Sequence, residues 1–159
     1  MYIYTDGSFR NAKHCWAFLA YENKIVHADS GVVHYNKASR NIVGELVAVI
    51  AGAYWAFSNG VQDITFCFDY EGVEKFYTGE YRAKTELTQK YVSLMRYISN
   101  FVKLNFKKVK GHFDPWNVVV DNMCRTAEKT NTSIDLNSFY RNVMERLKAT
   151  SLERIGTYV

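Results

Sequence analysis

Four acidic residues stand where a carboxylate is costly. Asp6 follows YIYT, Glu45 interrupts the apolar run IVGELVAVIAGAYWAF, Asp69 directly follows ITFCF, and Asp121 follows VVV. Each stretch reads as buried, and ionised carboxylates are rarely buried without a partner. No Lys or Arg on the same elements offers an obvious ion pair. Taken singly, each residue has an ordinary explanation. Asp6-Gly7 is a turn signal, Glu45 suits the positive end of a helix, Asp69 can cap the helix that follows it, and Asp121 can be a solvated helical residue. Taken together they describe a site. If the strands carrying Asp6 and Asp69 are neighbours, their carboxylates meet at one sheet edge, within reach of Glu45 and Asp121 from helices. Clustered anions raise one another's pKa. Divalent cations remove that conflict.

The elements that must position these groups can be read from periodicity. Residues 2–9, 14–21 and 24–35 alternate as three strands joined by the short gaps RNAK and EN, an antiparallel meander with Asp6 near the end of its first strand. Ile42, Val43, Leu46, Val49, Ile50, Ala53, Tyr54 and Phe57 then recur at helical spacing, and Asn59-Gly60 supplies a stop. ITFCFD is a short strand buried on both faces. EGVEKFYTGE predicts a short helix ending at Gly79, TELTQKYVSLMRYISN a helix over 85–100, VKLNFKKVK a strand over 102–110, and a further helix spans about 116–130. The order βββ–α–β–α–α–β–α predicts a mixed sheet, in which a meander is extended by parallel strands through helical crossovers. Residues 133–159 lie beyond this unit, and Leu136, Phe139, Tyr140, Val143 and Leu147 give their helix one apolar face.

Composition sets the limits. A chain of 159 residues with 48% apolar and 23% charged residues suits one globular domain. The net charge of +4 permits a polyanionic partner without requiring one. Cys15, Cys67 and Cys124 are an odd, widely spaced set with no CxxC pair, which argues against a disulfide framework or a zinc site and for reduced thiols. No secretory signal is read at the N-terminus, and the longest apolar stretch is too short to span a bilayer. The expectation is a soluble cytoplasmic monomer.

YTDGSF, GELVAVIAGAYWA, FDYEG and KVKGH followed by Asn117 and Asp121 resemble, in order, the motifs of type 1 ribonuclease H, most closely the single-domain bacterial form with a DYEG segment. The resemblance covers roughly residues 1–130. It implies an α/β fold with a five-stranded mixed sheet flanked by helices, a catalytic domain over 1–132, and a helical extension over 133–159. It implies that Asp6, Glu45, Asp69 and Asp121 hold two Mg²⁺ ions, with Mn²⁺ as a substitute. Two such ions about 3.5–4 Å apart clamp an in-line phosphodiester displacement. The expected activity is cleavage of the RNA strand of RNA/DNA hybrids, leaving 5′-phosphate and 3′-hydroxyl ends, in primer or R-loop removal.

The resemblance also assigns roles around the carboxylates. His112 matches a histidine that assists turnover, although its interval to Asp121 is one residue shorter than usual and is filled by FDPW. Asn41 matches a residue that contacts 2′-hydroxyls, the groups that separate RNA from DNA; its ordinary reading is a helix cap. Arg40 stands where a Thr is usual and can bind phosphate in its own way. Gly7, Ser8 and Asn117 are assigned to nucleic-acid contact, with a helix cap as the other reading of Asn117. Tyr81, Arg82 and Lys84 read either as a groove for the DNA strand or as a solvated loop. Two other functions stay open: a non-catalytic nucleic-acid-binding module on the same fold, and a related nuclease that cleaves DNA.

Overall fold

The computed structural model describes residues 1–35, 42–111, 113–130 and 133–157, the last four of these by backbone alone. The meander comprises β1 (Tyr2–Arg10), β2 (Lys13–Tyr21) and β3 (Ile25–His34). Arg10 pairs with Lys13, so the first hairpin turns on Asn11 and Ala12 alone, both at positive φ (50° and 61°). That is the two-residue turn whose twist matches its strands. Asp6-Gly7 is therefore no turn. Asp6 pairs with Ala17 in the middle of β1, which runs four residues beyond it.

After the meander come α1 (Val43–Ser58), β4 (Asp63–Phe68), α2 (Gly72–Thr78), α3 (Glu86–Ser99), β5 (Lys103–Lys108) and α4 (Pro115–Ala127). The segment beyond 132 contributes β6 (Ile134–Asp135) and α5 (Leu136–Thr157). The sheet order is β5-β4-β1-β2-β3-β6. β4 runs parallel to both β1 and β5, as the crossovers require. The sheet has six strands rather than five, because β6 pairs with Val33 and His34 at the outer edge of β3. A two-residue strand has no periodicity to betray it.

The helices form two unequal layers. Ile3, Trp16, Phe18 and Ala20 face α1, α3 and α5 across the main core, whereas Cys15, Ala17 and Leu19 face α4 across a smaller one. β2 is thus covered on both faces, which is why its sequence is apolar at successive positions. α1 is buried nearly all round, since it lies between the sheet and neighbouring helices. Leu136, Tyr140, Val143 and Leu147 of α5 lie in the main core, so its apolar face is spent on this same chain.

One backbone contact fixes how α1 meets the sheet. A Cβ at Gly7 would fall 2.1 Å from the Glu45 nitrogen, and one at Gly44 would fall 2.2 Å from the Cys15 carbonyl. Only glycine at both positions lets strand and helix approach this closely. The Asp6-Gly7 pair, which carries the signature of a turn, is explained by this contact.

Candidate active site

β1 and β4 are adjacent and parallel, so Asp6 and Asp69, one residue past β4, come to the same end of the sheet. Glu45 arrives in the first turn of α1, delivered by the Gly7–Gly44 contact. One carboxylate oxygen from each of Asp6, Glu45 and Asp69 lies within 4.8 Å of the other two. Asp121 lines the same cleft, of about 270 Å³, together with Gly7, Ser8, Arg10, Gly111 and Asn117. It stands outside the tight group of three, and its carboxylate pairs with Arg125 one turn along α4 at 3.2 Å. That i,i+4 pair corrects the expectation that no cation on the same element serves these acids.

The electrostatics follow from burial. Asp6 and Glu45 are 6% and 8% exposed. Desolvation first, and the Asp69 charge second, push the Asp6 carboxyl up to about 7, against a modest lowering by the Gly7 backbone N–H. Glu45 is raised well above the ordinary range, by burial and then by the charges of Asp6 and Asp69. The two side chains share a hydrogen bond in which Glu45, the more strongly raised, is the donor. Glu45 Oε2 is buried with no hydrogen-bond partner. A cation would answer both observations: it would satisfy the orphaned oxygen and relieve the repulsion among carboxylates. Carboxylates are the donors that hard divalent ions take.

The surrounding scaffold is closely fitted. A Cβ at Gly111 would lie 2.5 Å from Asp69 Oδ2 and 3.2 Å from Asn117 Oδ1, so any side chain there would displace one or the other. α4 is capped by Asp114, whose carboxylate accepts from the Trp116 and Asn117 N–H groups at 3.0 and 3.1 Å. Asn117 is therefore not the cap. Its side chain is 2% exposed, lines the cleft, and keeps an Nδ2 with no acceptor. At the other end of α4, Lys13 Nζ donates to the Glu128 and Thr130 carbonyls at 2.9 and 2.8 Å. That clasp ties the helix bearing Asp121 to the hairpin bearing Asp6.

The other residues named from the sequence fall elsewhere. Tyr81, Arg82 and Lys84 lie between α2 and α3, and none lines the acidic cleft. The Tyr81 hydroxyl donates to Glu71, and Lys75 reaches the same carboxylate at 3.1 Å and sits 5.1 Å above the Tyr81 ring. Arg40, Asn41 and His112 lie outside the described residues. The N-terminal boundary of α1 falls at Ile42, which supplies no side-chain cap. The sequence reading missed Arg10. The signal was the strand period: Asp6, Ser8 and Arg10 alternate onto one face of β1.

Three solved structures set this architecture in context. RNase H1 from the halophilic archaeon Halobacterium salinarum superposes with a TM-score of 0.66 at 21% identity, covering 80% of this chain and 96% of that one. The N-terminal RNase H domain of a Mycobacterium tuberculosis protein gives 0.68 at 17%, covering 79% and 91%. LC11-RNase H1, solved with an RNA/DNA hybrid, gives 0.68 at 18%, covering 79% and 94%. The fold is that of ribonuclease H1. No family model and no curated protein matches the sequence itself. On the RNase H fold of this chain, β1, β4 and α1 bring Asp6, Asp69 and Glu45 to one end of the sheet. No helix among the described residues is long and apolar enough to cross a membrane.

Proposed function

We propose that the protein is a type 1 ribonuclease H, a metal-dependent endonuclease that hydrolyses the RNA strand of RNA/DNA hybrids. The observation that supports this most directly is the carboxylate triad at the end of the sheet, buried Asp6 and Glu45 with half-buried Asp69, and Asp121 in the same cleft. A purely structural cluster of this kind would destabilise the fold with nothing gained.

In this reading the four carboxylates hold two Mg²⁺ ions, or Mn²⁺ in their place. Bound there, the ions supply an activated water and neutralise charge on the phosphodiester. The chain's own residues do the rest. Asp6 and Asp69 present oxygens from a rigid sheet end, and Glu45 adds a buried oxygen from α1. Asp121 stands outside the tight group of three and is paired with Arg125, so it must exchange that partner to reach an ion. His112, in the resemblance, carries a proton during turnover. Arg40, Asn41, Gly7, Ser8 and Asn117 contact the hybrid, with Asn41 reading the 2′-hydroxyls. Tyr81, Arg82 and Lys84 form an outer contact for the DNA strand, in which Tyr81 must first leave Glu71. In-line hydrolysis leaves 5′-phosphate and 3′-hydroxyl ends. Residues 1–132 are the catalytic unit and 133–159 an extension that completes the core, in a cytoplasmic monomer.

The test is incubation with matched RNA/DNA, RNA/RNA and DNA/DNA duplexes, with and without Mg²⁺. We expect cleavage of the RNA strand of the hybrid alone, abolished by EDTA. Binding without cleavage would make the chain a binding module, and cleavage of DNA/DNA would make it a different nuclease on the same fold.

A further inference from the structure

The cleft has a chemical imbalance. Four carboxylates line it, yet the substrate proposed for it is a polyanion. Metal ions address the cleaved linkage but leave the neighbouring phosphates facing an acidic wall. Among the described residues, Arg10 is the only basic residue that lines this cleft. It is exposed, and it forms no ion pair with any described acid. An arginine on the same strand face as Asp6, two alternations away, with no described ion pair to neutralise it, is a fixed positive charge beside the triad.

A second observation points to the same kind of ligand. Asn117 is 2% exposed, and its Nδ2 has no acceptor although it lines the cleft. A buried donor left unmade is costly, so such groups are retained where a ligand supplies the acceptor. A Cβ at Gly111, which lines the same cleft, would lie 3.2 Å from its Oδ1. The amide thus borders the cleft with a donor still unmet, and a phosphate oxygen is the acceptor a nucleic acid would bring.

We propose that Arg10 and Asn117 form a two-donor seat for a backbone phosphate of the RNA strand next to the cleaved linkage. The seat rests on the proposed nuclease reading for the identity of its substrate. Arg10 supplies charge and Asn117 supplies a directed hydrogen bond. The two differ in their salt dependence, because only the charged contact releases counterions.

The test is hybrid binding by fluorescence anisotropy over a salt series, with Ca²⁺ present, strand integrity checked on gels, and folding of each variant checked by its melting curve. Arg10→Gln is expected to lower the slope of log K against log salt by about 0.9, an affinity loss of about eightfold at 0.1 M relative to 1 M salt. Arg10→Lys is expected to keep the slope. Asn117→Ala is expected to weaken binding by a similar factor at every salt concentration, with the slope unchanged. A single neutral methylphosphonate, carried on one deoxynucleotide and moved along the RNA strand, should reproduce the Arg10→Gln loss at one position. There the two changes should not add. An unchanged slope in Arg10→Gln, or additive losses at every position, overturns the role of Arg10. Full affinity in folded Asn117→Ala overturns that of Asn117. If the wild type binds hybrid with this pattern yet never cleaves it with Mg²⁺, the nuclease reading fails and the seat stands. If the wild type binds no nucleic acid, both fall.

Discussion

Replacing Asp6 by Asn should make the metal-free protein more stable while destroying its activity. The folded state holds the Asp6 proton up to about pH 7, whereas an unfolded chain releases it near 3.8. Between those values the folded state binds more protons than the unfolded one. Stability therefore falls as pH rises through this window, and the loss is complete above pH 7. At about 1.4 kcal/mol per pH unit, the penalty for carrying the Asp6 charge at pH 8 is about 4 kcal/mol. Asn keeps the shape and sheds the charge. For a chain of this size each kcal/mol moves Tm by about 2–4 °C, so in EDTA at pH 8 the gain should approach about 10 °C. The assay is thermal unfolding followed by circular dichroism at pH 5 and pH 8, in EDTA and in Mg²⁺. At pH 5 the folded wild type keeps its proton while the unfolded chain has already released it, so about 1.6 kcal/mol of the penalty remains and the difference should shrink to roughly a third. In Mg²⁺ at pH 8 the wild type should recover much of the gap, because the ion stabilises whichever state binds it. Equal melting temperatures at pH 8 in EDTA, or a variant less stable at both pH values, would refute the account of a strained, ion-seeking triad.

Asp69→Asn should abolish cleavage in the hybrid assay while leaving hybrid affinity largely intact; near wild-type turnover would remove Asp69 from the metal site. Ala12 occupies a left-handed turn position that costs an L-residue about 1–2 kcal/mol, so Ala12→Gly should raise Tm by a few degrees, and a lower Tm would show that the hairpin turns otherwise. Truncation after Thr132 removes β6 and α5 with the core side chains Leu136, Tyr140, Val143 and Leu147. Their burial carries roughly 6–12 kcal/mol, offset in large part by the entropy of ordering the helix, so Tm should drop on the order of 10 °C while folded molecules still cleave hybrids. An unchanged Tm with a halved mass in solution would instead make α5 a dimerisation element.

The sheet and its helices were legible because burial leaves a period in the sequence. β2 reads as continuously apolar since both its faces are covered, and α1 reads as helical despite being buried nearly all round. Three of the carboxylates were legible for a related reason: each has an ordinary explanation singly, but acids at the ends of several buried elements share one explanation when those elements meet. What stayed hidden depends on partners distant in sequence. Asp6-Gly7 carries the signature of a turn, and only the Gly44 backbone 37 residues later shows that the glycine serves a contact. The two residues of β6 gain their identity from β3. Asp114 and Asn117 compete as caps on equal chemistry, and the start of α4 at Pro115 decides between them. The pairing of Arg125 with Asp121 was readable from i,i+4 spacing, and Arg10 was readable from strand alternation.

The Gly7–Gly44 contact has a consequence for how this protein can vary. Strand and helix meet there through main chain alone, with no side chain between them to be exchanged for a larger or smaller one. The spacing between Asp6 and Glu45 is thus inherited from peptide geometry. Substitutions among the apolar residues on the rest of α1 can loosen or tighten its packing, and the melting temperature will register them. The two carboxylates, anchored at the one point that packing does not adjust, will keep their separation until the helix itself comes away.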